Sequence, residues 1–507
     1  MRADTLMIRL DPEASLPLYR QIRNGIAEAI LAERLPAGMR LPSIRQLAQT
    51  LCVSRNTLTL AFDLLVSEGY VVARRTSGYF VSQDIRPGID RAPPSIAPSG
   101  EAEAPPTVRL SVLGRALAAT ATESVLPRTR VLPFRPAAPP LADFPIATWR
   151  TLANRVTRQM EADRSRHLLW EGEAAGYRPL REAIATYVAA TRGVRCQPGQ
   201  VVVVSGSQQA LALAAMILLE RGDEVWMEDP AYLGARAALG VLGARLVPVP
   251  VDEDGLDIVH GCRIAPGARL AYVTPSRQFP LGVTMSVGRR LQLLQWARES
   301  GAWIIEDDYD AEFRFGGRPL SSLQGLDDSG RVIYVGTFSK SIFPALRLGY
   351  VVVPPGLAGA FATAKAVIDR HCPVIEQAVL AEFLTSGLLA RHIRRMRGLC
   401  VQRQRRLQEV LEVEVGELLR LDPVDGGFHA VAWLTAHRCD RTVAEHGRQA
   451  GLDLVPLSRF AIERNLPPAL VLGFAPFDVR EIEAAGARLG RTLRETPGPT
   501  ASLRPPS

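Results

Sequence analysis

Residues 302–340 read AWIIEDDYDAEFRFGGRPLSSLQGLDDSGRVIYVGTFSK. Two apolar runs, AWIIED (302–307) and VIYVG (332–336), each give way at once to polar residues. Unbroken apolar runs of this length mark strands buried on both faces. Four more occur: VVVVS (201–205), EVWME (224–228), LAYVT (270–274) and GYVVVP (349–354). Helix-length segments separate them, which predicts an α/β domain with a mainly parallel sheet covered by helices. Ligands of such sheets collect at the carboxyl ends of the strands. There the chain places Ser207 and Gln208 after VVVVS, Tyr232 in EDPAY, Asp307 and Tyr309 after AWII, and Lys340 after VIYVG.

Of 60 basic residues only Lys340 and Lys365 are lysines. A lysine ε-amine forms an imine with an aldehyde, a reaction closed to the always-protonated guanidinium of arginine. The carboxylate of Asp307 suits a pyridine nitrogen that must stay protonated, and Tyr232 offers an aromatic face to a ring. Tyr309 places a phenol near a ring oxygen. A helix opening at SGSQQAL points free N–H groups, with Ser207 and Gln208, at a phosphate, and Arg347 supplies countercharge. Singly, these residues read as a surface lysine, a helix cap or an ordinary tight turn. Together, in this order at strand ends, they make a candidate pyridoxal 5′-phosphate site.

The first 82 residues have another texture. Leu18, Ile22, Ile26, Ala29 and Ile30 share one helix face, and a break at Pro36-Ala37-Gly38 precedes LPSIRQLAQTLCVSRNTLTLAFDLLVSEGY. Ser43 with Gln46 makes a capping-box pattern for one short helix, Leu51-Cys52-Val53 forms a turn, and Ser54 caps a second helix. That second helix buries Leu58, Ala61, Phe62 and Leu65 and turns Asn56, Thr59, Leu60 and Asp63 outward. YVVAR and YFVS then flank Arg75-Thr76-Ser77-Gly78, a hairpin with a tight tip. The pattern is a winged helix-turn-helix whose polar face, begun by Arg55, suits a major groove. A small helical dimerisation domain is the alternative for the helix pair alone.

A chain of 507 residues is too long for one core. We expect residues 1–82 as the small domain, 83–107 as a Pro/Ala-rich linker, 108–490 as the large domain and 491–507 as a disordered tail. Six scattered cysteines lack metal or disulfide spacing. No run is long and apolar enough for a membrane span or signal peptide, so a cytoplasmic place is expected. The net charge of +8 excludes little: residues 1–82 contribute only +3, ten arginines against seven acids.

LPSxRxLAxxLxVSRxT, LxxEGY and the hairpin ending in Gly resemble the winged helix-turn-helix of GntR-type regulators. The resemblance implies contacts to double-stranded DNA from Arg45, from Ser54, Arg55, Asn56, Thr57 and Thr59, and from Gly78 at the wing. From about 108 to 490, the motifs FPIATWR, GYRPLREAIATYV, SGSQQAL, EDPAY, TPSRQFPLG, EDDYDAEFRF, GTFSKSIFPALRLGY and LLARHIRRMR resemble the fold-type I aminotransferases. Among these the chain is most similar to the MocR/GabR-like branch of GntR regulators. That implies a smaller C-terminal α/β subdomain, a homodimer, and an internal aldimine at Lys340 with Ser207, Gln208, Tyr232, Asp307, Tyr309 and Arg347 as cofactor contacts.

Against that family pattern the chain departs at three places. Phe279 stands where aminotransferases carry the asparagine of Asn-Pro-x-Gly, leaving Gln278 as the amide able to substitute. Trp170 replaces a tyrosine that reaches the partner's phosphate. Val471 replaces an arginine that grips the substrate carboxylate. The arginines of HIRRMR (Arg394, Arg395, Arg397) are expected on a solvated helix face. The resulting expectation is a cofactor-dependent transcriptional regulator responding to a small amino compound or to pyridoxal phosphate itself; the rival is an aminotransferase with an accessory amino-terminal domain.

Overall fold

The computed structural model describes residues 10–11, 14–74, 77–84, 109–119, 131–161, 168–316, 321–435 and 438–496. Contacts divide the chain into two units, Met1–Val108 and Arg109–Ser507. The expected wing-tip residues Arg75 and Thr76, residues 85–107 of the expected linker and residues 497–507 of the expected tail lie outside the described residues.

In the first unit, helices α1 (Leu18–Leu31), α2 (Ile44–Thr50) and α3 (Arg55–Ser67) precede strands β1 (Val71–Arg74) and β2 (Gly78–Val81), which pair antiparallel. Ile22, Ile26 and Ala29 of α1 meet Leu58, Ala61, Phe62 and Leu65 of α3 in one core, all essentially inaccessible to solvent. The capping box at Ser43 and Gln46 forms, and the Ser54 side chain accepts from the Thr57 N–H. These caps fix where α2 and α3 begin, hence the angle of the turn between them. Phe62 packs edge-on against Tyr79 at 4.7 Å, tying the hairpin to α3.

The second unit is built on an eight-stranded sheet of order β3-β10-β9-β8-β7-β4-β5-β6. Its strands are β3 (Val201–Val204), β4 (Glu224–Asp229), β5 (Arg245–Asp252), β6 (Gly255–Leu256), β7 (Leu270–Val273), β8 (Trp303–Asp308), β9 (Val332–Thr337) and β10 (Gly349–Val352). All run the same way except β10, antiparallel to both neighbours, and the short β6. The six runs read from the sequence are strands. β5 was not among them: RLVPVPVD alternates and carries two prolines, tolerable because residues 245–250 pair on one side only.

A smaller antiparallel sheet of order β11-β12-β14-β13 follows: β11 (Leu419–Leu421), β12 (His429–Leu434), β13 (Val455–Pro456) and β14 (Ala469–Gly473). Helices Leu388–Val415 and Val479–Glu495 supply Leu407, Leu411, Ile482 and Leu489 to the core it shares with Leu470 and Leu472. The last helix passes residue 490, the expected domain end, and Leu493 within it and Thr496 just after it are buried. Upstream, Phe134 bridges to Gly473, where a Cβ would lie only 1.8 Å from the Arg135 carbonyl oxygen. That close approach requires glycine and lays residues 131–140 across β14, which carries Ala137 to the large sheet.

Candidate functional site

All seven residues expected at the cofactor line one cavity of about 240 Å³: Ser207, Gln208, Tyr232, Asp307, Tyr309, Lys340 and Arg347. They arrive from the ends of β3, β4, β8 and β9, where parallel strands leave room between departing loops.

Lys340 lies three residues past β9, and its Nζ donates to the Ala137 carbonyl oxygen. Burial pulls its pKa down to about 8, against the opposing pull of Asp310 and Asp307. An uncharged amine, the form that adds to an aldehyde, is therefore accessible near neutrality. Asp307 is buried; its Oδ2 accepts from the Tyr272 hydroxyl at 2.9 Å while its Oδ1 has no hydrogen-bond partner among the described residues. Burial raises its carboxyl to about 7, with the Tyr272 hydrogen bond acting the other way. A protonated ring nitrogen facing Oδ1 would restore the carboxylate and satisfy that oxygen. The Tyr309 hydroxyl is likewise buried without a partner.

Opposite, the turn after β3 forms a cup. Gly206 takes φ +93° ahead of helix Ser207–Leu218, whose first N–H groups lie beyond the reach of their own helix's carbonyls. Arg347, held in the left-handed region at φ 51°, donates to the Ser205 carbonyl at 2.7 Å, and its guanidinium would sit 3.6 Å from any Cβ on Gly206. Gln208 Nε2 donates to the Tyr232 hydroxyl at 3.3 Å, setting the ring between the cup and the lysine loop. Donors for a phosphate, an orphaned carboxylate oxygen, an orphaned phenol and a depressed lysine fit pyridoxal 5′-phosphate group by group.

Gln278 does not substitute for the missing asparagine. Its Nε2 donates to Glu228 Oε2 (3.2 Å), the Pro230 carbonyl (2.8 Å) and the Phe279 carbonyl (2.7 Å), and its Oε1 accepts from Leu281 N–H, so the amide is spent holding its own loop. Phe279 lines the cavity instead, edge-on to Tyr232 at 5.8 Å and to Tyr309 at 5.9 Å. Val471 is sealed in β14, clustered with Phe279, Val431 and Phe460. Beside them His429 is kept neutral, burial pushing its pKa down to about 3. The wall where an aminotransferase grips its substrate is therefore apolar and uncharged. Trp170 is 79% exposed.

Sequence reading missed Tyr272, whose position inside LAYVT reads as core, and Ala137, which acts through a backbone carbonyl. In the first unit Arg45, Arg55 and Asn56 are exposed. Ser54 and Thr57 bond each other through their hydroxyls at 2.8 Å, and Thr59 Oγ1 donates to the Arg55 carbonyl. Gly78 takes φ +97° at the start of β2, with Arg40 alongside and Arg74 over the Phe80 ring, two cations the motif did not single out.

A winged helix-turn-helix and a pyridoxal-phosphate-binding large unit in one chain define a class: DNA-binding regulators with an aminotransferase-like domain. Residues 18–81 match the model of bacterial regulatory proteins of the gntR family, and residues 143–433 that of aminotransferase class I and II. The chain is 40% identical to the probable rhizopine catabolism regulatory protein MocR of Rhizobium meliloti, covering 93% of each chain. It is 32% identical to the pyridoxine biosynthesis transcriptional regulator PdxR of Corynebacterium glutamicum, over 94% of this chain and 96% of that one. Among solved structures, the α-aminoadipate aminotransferase LysN of Thermus thermophilus, complexed with N-(5′-phosphopyridoxyl)-L-leucine, superposes with a TM-score of 0.67 at 29% identity, over 75% of this chain and 96% of that one. The chain belongs to the MocR/GabR-like subfamily of GntR-family transcriptional regulators. Among the described residues no helix is long and apolar enough to cross a membrane.

Proposed function

We propose that this regulator senses its effector at the cofactor held by Lys340, and that occupancy of that cavity alters the affinity of the helix-turn-helix for its operator. The observation that carries this reading is the pairing of a complete cofactor cradle with an apolar wall at Phe279, backed by the buried Val471. Cofactor binding is provided for; a grip on an α-carboxylate at that wall is not.

Bound there, pyridoxal 5′-phosphate supplies an electrophilic carbon and an electron-withdrawing ring. The chain's part is to hold the ring nitrogen with Asp307, the ring face with Tyr232, the ring oxygen with Tyr309, and the phosphate with Ser207, Gln208 and Arg347. Lys340 would hold the cofactor through its amine, and the effector would be a small amino compound that competes for the same carbon, or the cofactor itself. Arg45, Arg55 and Asn56, whose side chains have no polar partner among the described residues, make the main contacts to operator DNA; Thr59 and the wing at Gly78 lie beside them, while Ser54 and Thr57 act mainly by shaping the start of α3. The regulator works as a homodimer, which the exposed Leu169 and Trp170 favour, and in the cytoplasm, where operator DNA is found.

The test is operator footprinting of full-length protein with and without cofactor, alongside absorbance near 420 nm. Cofactor that appears in the spectrum and shifts the footprint supports the reading. A Lys340→Ala protein whose footprint is indistinguishable from wild type under both conditions overturns it. Steady-state transamination in the ordinary enzyme range, at or above about 1 per second, would favour the rival catalytic role that the intact Lys340 and Asp307 pair permits.

A further inference from the structure

A second cavity, about 420 Å³, shares no lining residue with the cofactor cavity. One wall is helix Leu388–Val415, which presents Ala390, Ile393, Arg394 and Arg397 at helical spacing. Arg394 has no hydrogen bond or ion pair among the described residues. Arg397 donates Nε and Nη2 to the Glu312 backbone carbonyl, at 3.2 and 2.6 Å, and meets no carboxylate among the described residues. Facing them is Arg277, only 8% exposed, whose Nη2 reaches the His429 carbonyl while its Nε, 3.6 Å from Asp310 Oδ2, has no hydrogen-bond partner among the described residues.

The acids of this cavity neutralise its cations only in part. Asp310 and Asp425 each form an ion pair with Arg277 at 3.6 Å, longer than a hydrogen bond, and Asp425 is shared with Arg314 at 3.6 Å; burial pushes the Asp310 carboxyl up to about 7, against the pull of Arg277. Glu312 accepts the Tyr187 hydroxyl at 3.0 Å and is pushed by burial to about 7, so part of its population is uncharged near neutrality. Arg192 is already committed to Asp308 at 2.6 Å. What remains is a surplus of positive charge carried by Arg394 and Arg397, beside the loosely paired Arg277 and Arg314, around a space large enough for a metabolite.

We propose that this cavity binds a small polyanion bearing carboxylate or phosphate groups, held by Arg394 and Arg397 at one wall and Arg277 and Arg314 at the other. The site is wired to the cofactor cavity by covalent neighbours: Arg277 is two residues from Phe279, and Asp310 follows Tyr309. A ligand that draws Arg277 toward the helix wall acts on both, so anion and cofactor affinities are coupled, each changing the other by the same factor. This site is independent of whether the effector reacts at Lys340.

The experiment titrates the full-length protein, preloaded with pyridoxal 5′-phosphate so that the cup at Ser207 and Arg347 is filled, with inorganic phosphate and separately with citrate. Calorimetry is run at constant ionic strength with chloride as the control. One saturable site per chain is expected for at least one anion, weakened at least about tenfold in Arg394→Gln and in Arg397→Gln. Both side chains are exposed, so the melting temperature and the 420 nm band stay at wild-type values in the variants. The anion that saturates identifies the preferred group. Absence of saturable binding by either anion, binding matched by chloride, or equal affinity in the variants overturns the proposal.

Discussion

Tyr272 donates its phenolic hydrogen to Asp307 Oδ2 at 2.9 Å and leaves Oδ1 as the oxygen still to be satisfied. Two residues on neighbouring parallel strands thus decide which way the carboxylate faces. Tyr272→Phe keeps the ring and removes the bond. The Asp307 carboxyl, already raised to about 7 by burial, rises further, and its ionised form becomes dearer just where a ring nitrogen must be held. A hydrogen bond to a charged group contributes about 1.5–3 kcal/mol, so cofactor affinity falls roughly tenfold or more. Equilibrium dialysis of the variant measures this; an unchanged Kd would show that Tyr272 serves only the core.

The depressed lysine gives a pH signature. In the cofactor-free protein the Lys340 amine titrates near 8, below its ordinary value of 10.5. Only the neutral form reacts with an aldehyde, so the rate at which 420 nm absorbance grows after mixing rises with pH and levels off above about 8, being roughly tenfold slower at pH 7 than at the plateau. The linkage runs the same way for stability: folding releases a proton from this group, so its burial penalty at neutral pH is relieved between about 8 and 10.5 as pH rises. Stopped-flow mixing across pH 6 to 10 checks the first statement; a midpoint at 10 or above refutes it.

Much of this was legible because the chemistry sat on residues with a readable context. Short apolar runs located six strands, and the polar residues just past them line the cavity that fits the cofactor. β5 escaped because prolines and alternation imitate a loop. Tyr272 escaped because a tyrosine inside an apolar run is more simply core, and Ala137 because a carbonyl oxygen has no residue type. Gln278 misled for a different reason: proximity in sequence does not fix direction, and its amide is turned toward Glu228. Arg394 and Arg397 are exposed as expected, yet they face a cavity whose other wall comes from residues 277 and 310–316, a juxtaposition only folding creates.

In the DNA-binding unit the cap and the contact separate by mutation. Arg55 is exposed at the first turn of α3, and Ser54 before it accepts the Thr57 N–H at 3.1 Å. Arg55→Ala should abolish the footprint at physiological salt; if its contact is to phosphate, the salt dependence of residual binding drops by about one ion. Thermal stability and the 420 nm band should not change. Ser54→Ala should instead cost about 1 kcal/mol of stability in this unit, with DNA affinity falling less. Differential scanning calorimetry beside electrophoretic mobility shifts distinguishes them; equal losses of stability would reject this division of labour.

Lys365, the second lysine, is wholly buried, and its network ends at the phosphate cup. Its Nζ donates to Asp369 Oδ1 at 2.7 Å and to Gln209 Oε1 at 3.3 Å; Gln209 Nε2 returns to Asp369 Oδ2 at 2.7 Å. The same Gln209 Oε1 accepts the Ser205 N–H at 2.8 Å, and Ser205 gives its carbonyl to Arg347. Lys365 is therefore a positioning residue for the turn that precedes Ser207. Lys365→Met strands Asp369 without its cation and loosens Gln209, so affinity for pyridoxal 5′-phosphate should fall by about tenfold, within the range for breaking a charge-assisted bond. Affinity for pyridoxal, which lacks the phosphate, should fall far less. That ratio separates the role from general destabilisation, which would weaken both ligands alike. Lys365→Arg keeps the charge but not the compact ammonium, so it should recover only part of the ratio; equal losses for both ligands in Lys365→Met would mean the network supports the core rather than the cup.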